Sequence, residues 1–176
     1  MNGRQRFETL VLPHLDAAYN LARWLLRDAS AADDAVQDAS MRALRYIDSL
    51  RGDDARAWLL GIVRNTCFSV LERQRSDPDL VEFDEAEFEA ALGAAERGAS
   101  DPAALLEQRR LRALVDAALR ALSPLLREVI VLREFEDLEY AQIAKIVAVP
   151  VGTVMSRLAR AREKMRAVLM QSDLGH

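Results

Sequence analysis

Tyr140-Ala-Gln-Ile-Ala-Lys-Ile-Val-Ala-Val-Pro-Val-Gly-Thr-Val-Met-Ser-Arg-Leu-Ala-Arg-Ala-Arg-Glu-Lys164 reads as two short helices joined by a tight turn. Ile143, Ile146 and Val147 recur at helical spacing in the first helix. The turn falls at Ala148-Val149-Pro150, and Pro150, which has no backbone donor, suits the first turn of a new helix. In the second helix Val154 and Leu158 share one face, while Ser156, Arg157 and Arg160 lie mostly on others. From Val151 to Met170 there are five basic residues and one acid, so the exposed part of this helix carries positive charge. A short helix, a turn and a basic second helix form the device that lays one helix in the DNA major groove. The competing reading is an amphipathic hairpin whose arginines only solvate a face.

The rest of the composition favours an all-α chain. Ala, Leu, Arg and Glu dominate, with 7 Gly and 5 Pro in 176 residues, and no segment alternates like a strand. No apolar run approaches the roughly 20 residues of a membrane span. The N-terminus, Met-Asn-Gly-Arg-Gln-Arg-Phe, lacks the apolar stretch of a signal peptide. A single cysteine makes no internal disulfide and fits a reducing cytoplasm. There is no His/Cys metal spacing, no phosphate-cradling glycine loop and no nucleophile motif, so neither a cofactor nor an enzyme activity is expected. Cys67 lies on an apolar helix side and reads as a small core residue.

A net charge of −4 sits oddly with DNA binding until its distribution is considered. Asp77 to Asp101 holds nine acids and one base, a net of −8, which leaves +4 on the remaining residues. Local charge governs attraction to phosphate more than the total does. The acidic stretch, with Pro78, Gly93 and Gly98, reads as a flexible linker over 77–101 between helical bundles at 1–76 and 102–176, each with its own core. The N-terminal bundle is expected to hold three main helices: Arg4 to Arg27, kinked near Pro13; Ser30, as cap, to about Ile47; and Asp53, as cap, to about Arg73. After the linker, Asp101-Pro102 and Ser123-Pro124 both read as helix starts. Such halves should move independently in the free, monomeric chain.

Pro150 to Arg162 resembles, almost letter for letter, the run P-V-G-T-V-x-S-R-L-x-R-A-R of extracytoplasmic-function (ECF) sigma factors of bacterial RNA polymerase. The resemblance extends to two further segments. Ala32-Asp33-Asp34-Ala35-Val36-Gln37-Asp38 through Arg45 is similar to A-E-D-L-V-Q-E-x-F-x-R-A-W. By spacing alone this is a solvated helix face. The resemblance implies that Asp33, Asp34, Gln37, Asp38 and Arg42 meet the coiled-coil clamp helices of the core polymerase. Arg56 to Ser76 is similar to W-L-x-x-I-A-R-N-x-x-x-D-x-x-R-R, which in the family binds the melted minus-ten strand with one base flipped out. That implies a DNA-contacting set of Leu50, Arg51, Arg64, Asn65, Arg73 and Arg75, with Trp58 more a core residue than a stacking platform. For the minus-thirty-five element it implies Thr153, Ser156, Arg157, Arg160 and Arg162 in the major groove.

The implied function is a promoter-specificity subunit whose partners are core RNA polymerase, promoter DNA and an anti-sigma factor. The chain departs from the family pattern in several places. Ala39-Ser40-Met41 and Leu50 replace usual aromatics, and Ser69 replaces Asp. Glu139 stands where Ser or Thr caps the first helix of the helix-turn-helix, leaving Asp137 as a substitute cap with Gln142 in the capping-box position. Ala148 replaces a common turn glycine. If that residue is left-handed, alanine costs on the order of 1 kcal/mol.

Overall fold

The computed structural model describes residues 1–76 and 101–174. The linker assigned to 77–101 therefore lies almost wholly outside the described residues. Among the described residues the chain is helical throughout, with no strand. The N-terminal half has α1 (Gly3–Leu10), α2 (Leu15–Leu26), α3 (Ala29–Arg45) and α4 (Ala55–Ser76), with 3-10 turns at Leu12–His14 and Ile47–Ser49. The C-terminal half has α5 (Pro102–Arg120), α6 (Pro124–Ile130), α7 (Tyr140–Val147) and α8 (Val151–Asp173). A π-helical turn over Val131–Phe135 follows α6.

Capping chemistry sets most boundaries, and it differs from the expected caps by one or two residues. The break near Pro13 is a 3-10 turn that separates α1 from α2. Asp28, not Ser30, caps α3: its carboxylate accepts from the Ala31 N–H at 3.0 Å. An ionised carboxylate is the stronger partner for the positive end of a helix, and it stands two residues earlier. Asp54, not Asp53, caps α4, accepting from the Ala57 N–H at 3.0 Å. Asp101 caps α5 from the position expected, accepting from Ala103 N–H at 3.1 Å.

At α7 the cap position is Glu139, while Asp137 sits in the left-handed region at φ 52°. The Glu139 N–H donates to the side-chain oxygen of Gln142 at 3.0 Å. Ala148 closes α7 at φ 56°, the left-handed geometry suspected from the missing glycine. Pro150 stands at the cap of α8, one residue before its first turn.

Each half has a recognisable apolar seam. Leu21, Leu25, Leu59 and Leu60 are fully buried between α2 and α4, each worth about 2 kcal/mol of transfer free energy. α3 contributes only alanines, Ala32, Ala35, Ala39 and Ala43, all buried, which bring its backbone close to its neighbours. In the C-terminal half Leu119, Ile130, Leu132, Leu138, Ile143 and Leu158 form the seam. The expectation of two separate cores is corrected here, because one continuous apolar cluster runs through both halves. α4 packs on α7, and α2 packs on α6 and on the π-helical turn. The physical cause is that both halves keep apolar and paired polar surface at these faces. Gly61 on α4 leaves room for Ile146, whose backbone would lie 3.9 Å from an added Cβ.

Ala148 supplies a test of this reading. Ala148→Gly relieves the left-handed strain and should raise stability by about 1 kcal/mol, read as a higher urea midpoint with unchanged m. A midpoint equal to or below that of the parent chain would show that the turn is not strained.

Candidate nucleic-acid interface

The reading face of α8 is built by what it buries. Val154, Leu158 and Ala161 point to the core. This leaves Val151, Met155, Ser156, Ala159 and Arg160 exposed on the side away from it, with Thr153 half-buried. Ser156 Oγ donates to the Gly152 carbonyl at 2.9 Å, which anchors it against the helix start. Of the five residues assigned to the major groove, Ser156 and Arg160 lie on this face and Thr153 beside it. The other two are engaged within the protein. Arg162 donates to Glu134 at 2.9 Å, and hydrogen bonds to Glu134 and Tyr140 push its guanidinium up. Arg157 turns inward to Glu128, 3.8 Å away, with its side chain 20% exposed. Met155, 53% exposed in the middle of the reading face, was not singled out by charge, and its signal was position alone.

The minus-ten set splits in a similar way. Asn65, Arg73 and Arg75 are exposed along α4, and Arg51 is exposed in the preceding loop. Leu50 is buried. Leu50, Arg51 and Asn65 border one cleft of about 410 Å³ whose opposite wall is Lys145, Ile146 and Ala148 from the helix-turn-helix. Trp58 is half-buried and lines the same cleft, so it is only partly the core residue expected. Arg64 faces away from solvent. Its Nε and Nη2 donate to the two carboxylate oxygens of Glu128 at 2.8 and 3.2 Å. Its guanidinium also stacks over Phe68 at 4.0 Å.

The set assigned to the core polymerase forms one exposed patch. Asp33, Asp34, Gln37, Asp38 and Arg42 project from α3 opposite its alanine seam, and Arg42 pairs with Asp38 at 3.2 Å. Met41 and Leu44 are exposed between them, a mixed charged and apolar surface suited to a partner helix.

Residues that hold the halves together were not legible in the sequence. Glu128 is wholly buried in the run Leu126–Leu132, where its neighbours read as core. Glu136 accepts from Arg56 at 2.9 Å across the same boundary. Gln142, besides serving Glu139, donates to Asp54 at 3.2 Å, so the caps of α4 and α7 are joined. Arg127 donates to the carbonyls of Leu119, Leu122 and Trp24 at 3.0, 2.9 and 3.1 Å. Burial, with a smaller contribution from Arg27, pulls its pKa down to about 10, so it stays charged at neutral pH. The Cys67 thiol is pushed up to about 12 by burial and is inert as a nucleophile. Among the described residues no cluster of His, Cys, Asp and Glu could hold a metal ion.

Comparison with known proteins agrees with this geometry. The family model for sigma-70 region 2 matches residues 10–76, and that for sigma-70 region 4 matches residues 112–165. The ECF RNA polymerase sigma-E factor of Escherichia coli K12 is 41% identical over 132 residues, 74% of this chain and 69% of its own length. The chain belongs to the ECF sigma factors. The RNA polymerase sigma-H factor of Pseudomonas aeruginosa is 36% identical over 169 residues, 94% of this chain and 87% of its own. Among solved structures, the sigma factor RpoE of Bartonella quintana in complex with the anti-sigma factor NepR aligns at TM-score 0.69 and 27% identity. It covers 93% of this chain and 96% of its own. CnrH in complex with the cytosolic domain of CnrY aligns at TM-score 0.64 and 27% identity, over 94% of this sigma factor and 88% of that chain.

The buried Glu128 gives a pH test. Desolvation raises its carboxyl above the ordinary 4.5, although the Arg64 hydrogen bond and the charges of Arg64 and Arg157 oppose the rise. A group raised in the folded state contributes most below its unfolded value, and that contribution is lost as pH climbs through the folded value. The stability of the wild-type sigma factor relative to Glu128→Gln should therefore fall as pH rises above about 4.5. Paired urea titrations across that range check it. A relative stability that rises with pH would mean that the ion pairs outweigh burial.

Proposed function

We propose that this sigma factor binds core RNA polymerase through α3 and directs it to promoters that it reads with α4 and α8. The observation that carries this is the outward face of α8, where Ser156 and Arg160 stand exposed at the start of a helix held by a helix-turn-helix. The two halves divide the work over 1–76 and 102–176. α8 enters the major groove of the minus-thirty-five duplex, with Arg160 offering a two-pronged donor to a base edge and Ser156 and Thr153 assisting. Arg157 and Arg162 hold α8 in place through Glu128 and Glu134 rather than reading bases. On α4, Asn65 offers an amide to a base taken out of the stack, and Arg51, Arg73 and Arg75 meet the single-strand phosphates.

The protein performs no covalent chemistry. Its role is recognition in the cytoplasm, and no helix among the described residues is long and apolar enough to cross a membrane. One solved relative, the sigma factor RpoE of Bartonella quintana, is bound to the anti-sigma factor NepR, and another, CnrH, is bound to the cytosolic domain of CnrY. An anti-sigma partner that covers both DNA-reading faces, on α4 and on α8, is the regulator expected for this chain.

Two substitutions test the assignment. Arg160→Ala should weaken binding to a selected promoter by about 1–3 kcal/mol and relax preference at one base pair, as read by titration against single-base variants. Unchanged affinity and preference would remove Arg160 from the reading face. Asp38→Arg should abolish retention of core polymerase in a pull-down while far-ultraviolet circular dichroism stays that of the parent. Wild-type retention would show that α3 is not the docking helix.

A further inference from the structure

We propose that Met155 determines specificity on α8 by reading the 5-methyl group of a thymine, so that the chain selects an A·T pair beside the base edge taken by Arg160. The inference deepens the assignment of α8 to the major groove and rests on it. Residues four apart on a helix stack into ridges. Two such ridges run along the outward side of α8. Val151, Met155 and Ala159 form an apolar one, and Gly152, Ser156 and Arg160 form a second beside it. Met155 is 53% exposed and Val151 41%. A Cβ added at Gly152, beside them, would meet nothing within 4 Å, so among the described residues nothing covers the start of this helix.

The cations near the apolar ridge are drawn away from it. Arg157 turns inward to Glu128, 3.8 Å away. Arg162, two turns beyond Met155 on the same flank, donates to Glu134 at 2.9 Å. Met155 therefore offers a base pair a long, flexible, polarisable arm with no hydrogen to donate. In the major groove the thymine methyl is the apolar group on a base edge. A second contact selects the same pair. Ser156 Oγ donates to the Gly152 carbonyl at 2.9 Å, so its hydrogen is committed and its oxygen is left as an acceptor. An acceptor suits the amino group of adenine or cytosine. Of the base pairs, A·T alone presents a methyl and an amino group together, one on each base. Adjacent residues of α8 thus address the two bases of one pair.

The test uses the full chain joined to core polymerase. A duplex pool randomised over about ten base pairs, one helical turn, is selected on it, and one enriched duplex becomes the probe. Each thymine of the probe is then replaced in turn by uracil, which removes the methyl and keeps every hydrogen-bonding group. One replacement should weaken binding about fourfold, the worth of one buried methyl group. Met155→Ala should bind the thymine and uracil probes equally, and Met155→Leu should keep the preference for thymine. Alanine and leucine are both strong helix formers, so helical dichroism should stay that of the parent. Selection on Met155→Arg should change the enriched pair at that position from A·T to G·C, because a guanine edge takes a guanidinium fork.

A wild type indifferent to uracil at every thymine overturns the proposal. A uracil effect that persists in Met155→Ala also overturns it, since the effect then comes from duplex shape and not from this side chain. The same holds if Met155→Arg still enriches the A·T pair. Failure of the underlying assignment looks different. If the wild type enriches no duplex, or if Arg160→Ala enriches the same sequence as the parent, α8 is not the reading helix and the inference falls with it. An enriched sequence that depends on Arg160 but on no thymine methyl leaves α8 in the groove and removes Met155 alone.

Discussion

A carboxylate with no exposure to solvent, that of Glu128, ties the geometry of three helices together. Moving such a charge out of water costs several kcal/mol unless partners replace the lost hydration. Its partners are Arg157 on α8, in the same half, and Arg64 on α4, in the other. The first sets how the reading helix rolls against α6. The second sets where the N-terminal half meets the C-terminal half. Arg127, the next residue, repeats the logic with opposite sign. Its buried guanidinium is satisfied by carbonyls at Leu119, at Leu122 and, across the boundary, at Trp24. Adjacent opposite charges on one short helix thus anchor it in two directions at once.

This use of charge changes how the basic count of α8 should be weighed. Five cations over twenty residues suggest a broad phosphate-binding surface, yet two of them serve internal carboxylates. Arg157 orients α8 through Glu128, and Arg162 holds it to the turn at Glu134. Arg160, Lys164 and Arg166 remain exposed, spaced along the helix toward its C-terminal end. On the proposed assignment, reading depends on a narrow patch near the start of α8, where Met155 and Ala159 offer exposed apolar contact surface. Such surface favours a thymine methyl over a hydrogen-bonding base edge. The base preference of this chain then follows from its departures as much as from its matches.

Helix periodicity and terminal signals made most of the fold legible. Ile143, Ile146 and Val147 did face the core, Asp101-Pro102 did open a helix, and Ala148 did adopt the left-handed geometry that a missing glycine implied. The errors at Ser30 and Asp53 were of one kind. In each case two cap-forming side chains stand within two residues of one another, Asp28 with Ser30 and Asp53 with Asp54, and short-range pattern does not rank them. The packing of the halves was not legible, because it depends on pairs such as Arg64 and Glu128 that lie far apart in the chain. A charged pair, Arg127-Glu128, inside the run Leu125–Leu132 was the available signal. Charges that interrupt an apolar stripe are either solvated or paired from outside it, and only the second option is compatible with neighbours buried on both sides.

The boundary between the halves sets polar pairs beside apolar packing, since one apolar cluster runs through both halves. A purely apolar interface of this kind would hold tightly and would leave sticky surface on parting. Here Asp54 links the first turns of α4 and α7, capping one helix and accepting from Gln142 of the other. On separation it still caps α4, and Gln142 still serves Glu139. Each side retains its own cap, so neither helix frays when the bond between them breaks. Specificity of the packed state comes from geometry that both carboxylates and guanidinium groups demand. The polar bonds lost across the boundary leave groups that water or nucleic acid can satisfy.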